Sequence, residues 1–288
     1  MTSTTLDRIP AVRVPERSWR SDARAVKIVW HRDLIHFAND PKRIITWLMQ
    51  PLLFLFVLGS GLGSLSAGAT DGVELTTFIF PGVLAISVFF TAMFSAVSLV
   101  MDREFGFLRE MMVAPVRRSS IVLGKVLGGG TVAASQGVIV LALAGLVGVP
   151  YDPLLIASVL GLLLLTAFTV TAFGVMVAVS IKQIQTFTSV MQMFVMPMMF
   201  ISGALFPVAG LPTWLEVLNR LNPLTYAVDP LRHAVFSRLD ISGSARATLD
   251  PGVTWFGWHV PVGLEIGIVA VLGAAMLVLA VRTFSRAE

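Results

Sequence analysis

Long apolar segments alternate with short polar segments along most of this 288-residue chain. A helix needs about 20 apolar residues to cross the hydrocarbon core of a bilayer, where the backbone must satisfy its own hydrogen bonds. Six segments fit this requirement: 44–63, 77–101, 121–149, 154–180, 187–205 and 262–283. Pro197 interrupts the fifth, which we expect to be shorter or kinked. The pattern predicts an all-α integral membrane protein with six transmembrane helices.

Basic residues are concentrated on one side of these predicted spans. Nine Lys or Arg residues precede the first span, and five more lie in or beside the loop after the second span. The loops after the first and third spans contain neither Lys nor Arg. Cytoplasmic loops carry the excess of basic residues, so both termini are predicted to be cytoplasmic. The polar N-terminus lacks the apolar core of a cleavable signal peptide, so we expect the first span to direct the chain to the plasma membrane.

The polar segment before the first span has a helical periodicity of its own. Residues 18–37 place apolar side chains among basic ones at helical spacing: Trp19, Ala23, Val26, Trp30, Leu34 and Phe37. This predicts an amphipathic helix lying in the cytoplasmic interface, or a solvated helix held beside the membrane by arginine–phosphate contacts. The predicted organisation is a cytoplasmic N-terminus over 1–43, a single transmembrane domain over 44–283 and a cytoplasmic tail over 284–288.

Composition excludes several kinds of chemistry. The chain is 56% hydrophobic and 13% charged, and the basic residues behind its net charge of +4 lie beside apolar segments, which favours membrane lipid over nucleic acid as a partner. Cysteine is absent, so no thiolate nucleophile or thiolate metal site can form. Gly124-Lys125 is followed by Val126, so the phosphate-loop pattern fails. We expect no catalytic, metal or cofactor site in this chain, and no enzymatic activity.

The predicted spans offer little for ion coupling. Five methionines between 191 and 199 are interpreted as adaptable apolar lining rather than a copper(I) path, because no Cys or nearby His completes a site. Secondary transporters usually keep ionisable residues at membrane depth, and Glu265 is the exception here. It is predicted to be either an interface residue whose carboxylate reaches external water or a substrate contact. Energy for uphill transport would therefore come from another chain.

The loop over 102–120 is dense in charge and compact. Residues 102–112 are compatible with a helix, and Pro115 ends it. Leu108, Met111 and Met112 give this helix a small apolar face, which an isolated solvated loop would not need. Such a face is typical of a helix that docks into a groove of a soluble partner.

The same loop carries a family resemblance. It reads Asp-Arg-Glu-Phe-Gly-Phe-Leu-Arg-Glu-Met from Asp102, followed by Ala114-Pro115 and Val122-Leu123-Gly124-Lys125. This string resembles the coupling-helix region of ATP-binding-cassette (ABC) type-2 exporter permeases, and the daunorubicin-resistance branch in particular. Phe107 and Arg109 stand where the broader family more often has Thr and Glu. The resemblance implies these ATPase-coupling residues: Arg103, Glu104, Gly106, Phe107, Leu108, Met111, Met112 and Pro115.

The segment over 206–261 carries the second resemblance. Its apolar stretches are too short to span a bilayer, prolines break them, and Asn222, Thr225 and Asp229 can satisfy broken helix ends. The motifs Ile201-Ser202-Gly203-Ala204-Leu205-Phe206-Pro207 and Leu221-Asn222-Pro223-Leu224-Thr225-Tyr226-Ala227 are similar to the stretch that re-enters the outer leaflet in the same family. The predicted outer-gate or substrate-path residues are Phe206, Pro207, Trp214, Asn222, Pro223, Thr225, Tyr226 and Glu265. A lid and a cargo contact both remain open for this segment.

The resemblance implies a function for the whole chain. Two permease subunits, identical or paralogous, would each present a coupling helix to a cytoplasmic ATPase subunit that binds ATP and Mg. Alternating access would then export a hydrophobic or amphipathic drug, lipid or lipid-linked molecule. The main alternative is a membrane subunit that acts as a sensor or regulatory scaffold without moving solute. An ion-coupled transporter is a further alternative, which the scarcity of intramembrane charge disfavours.

Overall fold

The structure is a computed structural model that describes residues 18–61, 74–108, 111, 116–206, 212–239, 243, 249–255 and 257–286. Ten α-helices are defined in these ranges: α1 Trp19–Ala38, α2 Pro41–Leu53, α3 Leu75–Ser95, α4 Val97–Glu104, α5 Arg118–Leu141, α6 Pro153–Ser180, α7 Ile184–Ile201, α8 Thr213–Leu221, α9 Thr225–Phe236 and α10 Val262–Arg286. A π-helical segment, Phe54–Leu58, continues α2, and a 3₁₀ segment, Ala144–Val147, follows α5. Two short strands, β1 Thr254–Trp255 and β2 Trp258–His259, form an antiparallel hairpin.

Six helical segments are long and apolar enough to cross a membrane, which confirms the predicted all-α membrane fold. They are Ile44–Gly61, Leu75–Glu104, Arg118–Leu141, Pro153–Ser180, Ile184–Ile201 and Val262–Arg286. The third span is shorter than predicted, because its α-helix ends at Leu141 and the chain turns before Gly148, whose φ is 75°. Tyr151 stabilises this turn, since its hydroxyl donates to the Ala142 carbonyl (2.7 Å) and accepts from the Gly145 N–H (3.1 Å).

Helix α3 lies at the centre of the fold. It contacts α2, α5, α6, α7 and α9, and most of its side chains are buried. Helices α2 and α10 lie at the periphery and leave many apolar side chains uncovered. Uncovered apolar surface of this kind is compatible with lipid or with another membrane subunit. Helix α4 continues α3 and leads into the loop over 102–120.

Helix α1 packs on α5 instead of standing away from the bundle. Ser18 caps α1 and forms a capping box with Ser21, so the helix begins where the sequence predicts. Gly124 makes the close packing possible, because a Cβ at this position would lie 2.7 Å from the Val29 Cβ. Trp30 adds a hydrogen bond from its Nε1 to the Thr131 hydroxyl (3.1 Å). Trp19 and Ala23, which were expected on the apolar face, are exposed.

Helices α8 and α9 form a layer between the fifth and sixth spans. They contain 9 and 12 residues, so each is far shorter than the roughly 20 residues that a bilayer span requires. Helix α9 is almost fully buried and packs against α3, α6 and α10. The close approach of this region depends on Gly82 of α3, where any Cβ would overlap the Ala204 carbonyl. The short length of both helices and the burial of α9 fit the predicted re-entrant segment.

Candidate coupling and outer-gate sites

Helix α1 is bound to both ends of the loop that joins α4 and α5. At the start of the loop, the Asp102 carboxylate lies 2.6 Å from the Arg32 Nη2 and 2.7 Å from the Lys125 Nζ. At its end, the Asp22 carboxylate accepts from the Arg117 backbone N–H (2.9 Å) and lies 3.3 Å from the Arg117 Nε. Displacement of this loop therefore pulls on α1 at two points.

The Lys125 ammonium is the most deeply buried group in this network. Its side chain is only 1% exposed, and it contacts the Asp33 carboxylate (3.4 Å) and the Ser98 hydroxyl (3.0 Å) besides Asp102. A buried charge is costly unless it is paired and hydrogen-bonded. Asp102 is therefore the main group that makes a lysine acceptable at the junction of α1, α4 and α5.

Arg103 and Glu104 hold the short loop between α6 and α7. The Arg103 guanidinium donates to the carbonyls of Val179 (2.7 Å) and Ile181 (3.0 Å) at the C-terminal end of α6. The Glu104 carboxylate accepts from the Ile184 N–H (2.8 Å) at the N-terminus of α7. Each charge complements the partial charge of the helix end that it contacts. These two predicted coupling residues therefore connect α4 to the fourth and fifth spans.

The apolar face of the coupling loop differs from the one that periodicity predicts. Leu108 is only 1% exposed and packs into the core of this chain. Phe105 and Phe107 are instead exposed, at 61% and 54%. Gly106 between them has a φ of 84°, a left-handed conformation that a side chain disfavours. Met111 is half-buried, whereas Met112 and Pro115 lie outside the described residues.

A cleft of about 640 Å³ opens beside the two exposed phenylalanines. It lies between α1, α4 and α5, and its lining includes Arg32, Asp33, His36, Asp102, Phe105 and Phe107. Acidic, basic and aromatic groups thus share one concave surface next to the coupling loop. This combination suits a polar protein partner with an apolar anchor better than it suits lipid.

Asparagine side chains connect the outer layer to the end of α7. The Asn222 amide donates to the Met198 carbonyl (2.7 Å), and its side-chain oxygen accepts from the Leu224 N–H (3.0 Å). Asn219 donates to the Ile201 carbonyl (2.6 Å), and the Thr225 hydroxyl donates to the Asn219 carbonyl (2.8 Å). These bonds satisfy backbone groups where helices are broken, as the sequence predicts for Asn222 and Thr225.

The predicted aromatic residues of the outer layer lie in different surroundings. Tyr226 is buried, donates to the Arg220 carbonyl (2.6 Å) and accepts from the Trp255 Nε1 (3.0 Å). Trp214 is exposed on α8, and Phe206 is half-buried. Pro207 lies outside the described residues. The three predicted aromatic residues therefore differ in their exposure.

An apolar cavity of about 260 Å³ lies between α3, α6, α7, α9 and α10. Its aromatic and sulfur-containing lining comprises Phe89, Phe173, Phe194, Met198 and Met276. Pro223, Leu224 and Ala227 of the outer layer also line it. Of the predicted outer-gate residues that the structure describes, Pro223 is thus the one that lines this cavity.

Glu265 occupies a protein interior instead of an external interface. It is 0% exposed, so its carboxylate does not reach external water. The prediction of an interface residue is therefore wrong. Glu265 lies near Asp229 of α9, which is also buried. Burial raises the pKa of the Asp229 carboxyl, and the charge of Arg232 opposes this effect. Arg232 itself donates to the Gly203 carbonyl (2.6 Å) and lies 5.0 Å from the ring centre of Phe78.

A sequence model of a known family, described as the ABC-2 type transporter, matches residues 24–236. The chain belongs to this family. The match includes α1, the coupling loop and the outer layer through α9, and thus both regions that carry the sequence resemblance. As an ABC-2 family member, the protein is a membrane transport permease that partners an ABC ATPase, with ATP hydrolysis on separate subunits.

Relatives of this ABC-2 permease include a transport permease and nodulation proteins. The transport permease ycf38 of Cyanophora paradoxa is 30% identical over 206 residues, which covers 70% of each chain. Nodulation protein J of Rhizobium leguminosarum bv. trifolii is 29% identical over 207 residues, covering 71% of this chain and 78% of the relative. Nodulation protein J of Rhizobium meliloti is 28% identical over 208 residues.

Several residues of these candidate sites are not predicted from the sequence. The roles of Asp22, Asp33 and Lys125 depend on contacts between segments that are far apart in the chain. Phe105 lies inside the quoted coupling motif, and the Phe-Gly-Phe pattern around Gly106 was the available signal for an exposed aromatic pair. The burial of Asp229 and Arg232 has no comparable signal, because a short helix in a polar loop is usually solvated.

Proposed function

We propose that this ABC-2 permease subunit exports a hydrophobic or amphipathic molecule, such as a drug, a lipid or a lipid-linked compound. The observation that carries the proposal is the apolar cavity beneath the outer layer. It is lined almost wholly by apolar side chains, and its outer end is formed by the re-entrant residues Pro223, Leu224 and Ala227. Apolar lining with few polar groups binds hydrophobic ligand surface and gives little to a strongly hydrated one.

ATP hydrolysis on the partner subunit, with its Mg, supplies the energy in this proposal. The ATPase contacts the exposed Phe105 and Phe107 and the cleft beside them. Movement of the loop is transmitted to α1 through Asp22 and Asp102, and to the α6–α7 junction through Arg103. Each of these contacts is a short ion pair or hydrogen bond, so the loop and three other elements are positioned to move together.

Two permease subunits pack together in the plasma membrane in this arrangement, with both termini in the cytoplasm. The basic residues around the first span and the coupling loop support that orientation. The uncovered apolar faces of α2 and α10 provide surface for the second subunit and for lipid. Asn222 and Thr225 keep the outer layer closed, whereas Pro223, Leu224 and Ala227 contact cargo as it leaves.

The proposal is tested by filling the cavity. Met198 lines it, and Met193, on the same helix, is 75% exposed and lies outside it. We expect Met198→Trp to reduce ATP-dependent movement of daunorubicin or a short-chain fluorescent phospholipid in proteoliposomes that contain the partner ATPase. Met193→Trp is the matched control and should retain transport. Equal transport by both variants, at equal protein levels, would remove the cavity from the cargo path.

A further inference from the structure

Two carboxyl groups meet between α9 and α10 at the outer end of the last span. Glu265 is fully buried, and neither of its carboxylate oxygens has a hydrogen-bond donor among the described residues. Asp229 is buried beside it, and the two side chains are within hydrogen-bonding reach of one another. The Val253 backbone N–H donates to Asp229 and does not serve Glu265. The pair of carboxyl groups thus lacks one hydrogen that could be donated to Glu265.

Two carboxylates cannot form a hydrogen bond with each other, because ionised carboxylates only accept. Two such charges in contact repel, and removing them from water adds a desolvation cost that no donor offsets at Glu265. One proton on the pair removes the repulsion and supplies the missing donor. A single proton therefore accounts for the burial and for the unpartnered oxygens together.

A metal ion is a poorer explanation for the pair. The described residues include no group of three His, Cys, Asp or Glu side chains that could hold one. The cavities of about 260 and 640 Å³ described above are not lined by Asp229 or Glu265. A proton needs neither a third ligand nor a cavity.

The charge of Arg232 favours ionised Asp229 and the charge of Asp250 opposes it, so the surrounding groups offset the charge of the pair only in part. On α9, Arg232 forms no ion pair with either carboxyl group and donates instead to Gly203. Asp250 is 3.0 Å from the His233 ring. The Tyr226 hydroxyl on α9 donates to the Arg220 backbone carbonyl, and the Arg220 guanidinium is paired with Glu216 on α8. From the hairpin side, His259 borders the same Gly252 as Asp229 does.

We propose that Asp229 and Glu265 form a proton-binding site whose shared proton holds the re-entrant helix α9 against the last span α10. Loss of the proton leaves two buried like charges on opposing helices and releases the outer layer. Opening toward the outside is thereby linked to proton exchange with the external solution. This link is additional to the ATP-driven function and does not depend on the cargo.

The expected direction of the pH effect follows from the same contacts. Burial raises the pKa of Asp229 in the folded protein. A group with a raised pKa stabilises the fold at low pH and loses that contribution as the pH rises. The contact between α9 and α10 should therefore be strongest in acidic solution and weaken as the pH rises.

Single-cysteine labelling tests the site, because the chain contains no native cysteine. Val260→Cys is the reporter, since Val260 is buried in a cluster with Tyr226, Val253 and Val269. Leu221→Cys is the matched control, because Leu221 is 74% exposed on α8. The rate of labelling by a membrane-impermeant maleimide is measured for both in the permease–ATPase complex in proteoliposomes. The ratio of the two rates cancels the effect of pH on the thiol itself.

We expect the ratio to be low and constant at low pH and to rise as the pH is raised, by up to about tenfold per pH unit once the proton leaves. In the Glu265→Gln background the ratio should stay low at every pH, because the amide donates to Asp229 permanently. Asp229→Asn should behave likewise. In Tyr226→Phe and His233→Ala the labelling ratio should still rise with pH. That result would show that neither the tyrosine hydroxyl nor the histidine ring causes the rise.

Three outcomes would overturn the proposal. One is a flat ratio in the parent protein, and another is a Glu265→Gln ratio that rises with pH as the parent's does. The third is a ratio that changes when Na⁺ is replaced by choline at fixed pH, which would assign the site to a metal cation. Labelling of Leu221→Cys within each variant, together with retention of the ATPase, confirms that the variant is folded.

Discussion

The ion network around Asp102 allows the sharpest prediction about coupling. Asp102→Asn keeps the shape of the side chain and removes the charge that lies 2.7 Å from the Lys125 ammonium. The Lys125 side chain is almost fully buried, and it keeps the Ser98 hydroxyl and only one carboxylate, that of Asp33 at 3.4 Å. Breaking a buried pair by removing one partner costs about 3–5 kcal/mol. Because Asp33 remains, we expect a loss of about 3 kcal/mol, at the lower end of this range.

Arg32→Ala provides the comparison within the same network. Arg32 is partly exposed, and its removal leaves the Asp102–Lys125 pair intact. An exposed ion pair contributes about 1 kcal/mol or less, so the loss should be several times smaller than for Asp102→Asn. The measurement is the unfolding of the purified permease in detergent, followed by its midpoint temperature. Equal shifts of the unfolding midpoint in Arg32→Ala and Asp102→Asn would refute the reasoning.

A double variant separates the buried charge from the loss of the carboxylate. Replacing a buried ion pair by apolar groups of similar volume is often neutral or stabilising. Asp102→Asn combined with Lys125→Met should therefore recover most of the stability lost in Asp102→Asn alone. Coupling should not recover, because the ion pair between Asp102 and Lys125 of α5 is absent. A double variant that is as unstable as the single one would show that charge burial is not the cause.

Three further predictions concern the other sites. Phe107→Ala should leave stability near the parent value but weaken ATPase docking by about 2 kcal/mol. Leu108→Ala empties a core position and should lower the free energy of unfolding by about 2–5 kcal/mol. Thermal unfolding measures the loss of stability, and co-purification of the ATPase measures the loss of docking. Asn222→Ala leaves the Met198 carbonyl and the Leu224 N–H unpaired, so it should lower the unfolding temperature by an amount equivalent to about 1–3 kcal/mol, and an unchanged midpoint would contradict this. In intact cells, Ser119→Cys should be protected from an impermeant reagent while Trp258→Cys reacts, and the reverse pattern would overturn the orientation.

Much of the architecture follows from the sequence because bilayer physics constrains it strongly. Apolar length predicts the six spans, Ser18 predicts the start of α1, and interrupted apolar stretches predict the short helices α8 and α9. The error in the third span has a local cause. Residues after Leu141 are apolar enough to continue the helix, but Tyr151 and Gly148 stabilise a turn there.

The candidate sites are less predictable, since periodicity identifies residues that share a face but not what covers that face. Leu108 has the spacing of a docking residue, yet its face packs against the core of its own chain. Asp22 and Arg117 contact each other although 95 positions separate them in the chain. Glu265 of α10 is buried against α9, which belongs to the segment over 206–261. Such contacts arise from how the helices pack, which no local pattern specifies.

The central claim is that the permease moves an amphipathic molecule outward with energy from a separate ATPase. The most direct measurement reconstitutes the permease with its ATPase in vesicles whose cytoplasmic face points outward, and adds ATP to the external solution. The account predicts that daunorubicin or the fluorescent phospholipid accumulates in the lumen or the inner leaflet only when ATP and both subunits are present. ATP hydrolysis by the intact complex without movement of either probe would contradict export of this class of cargo and favour a regulatory scaffold.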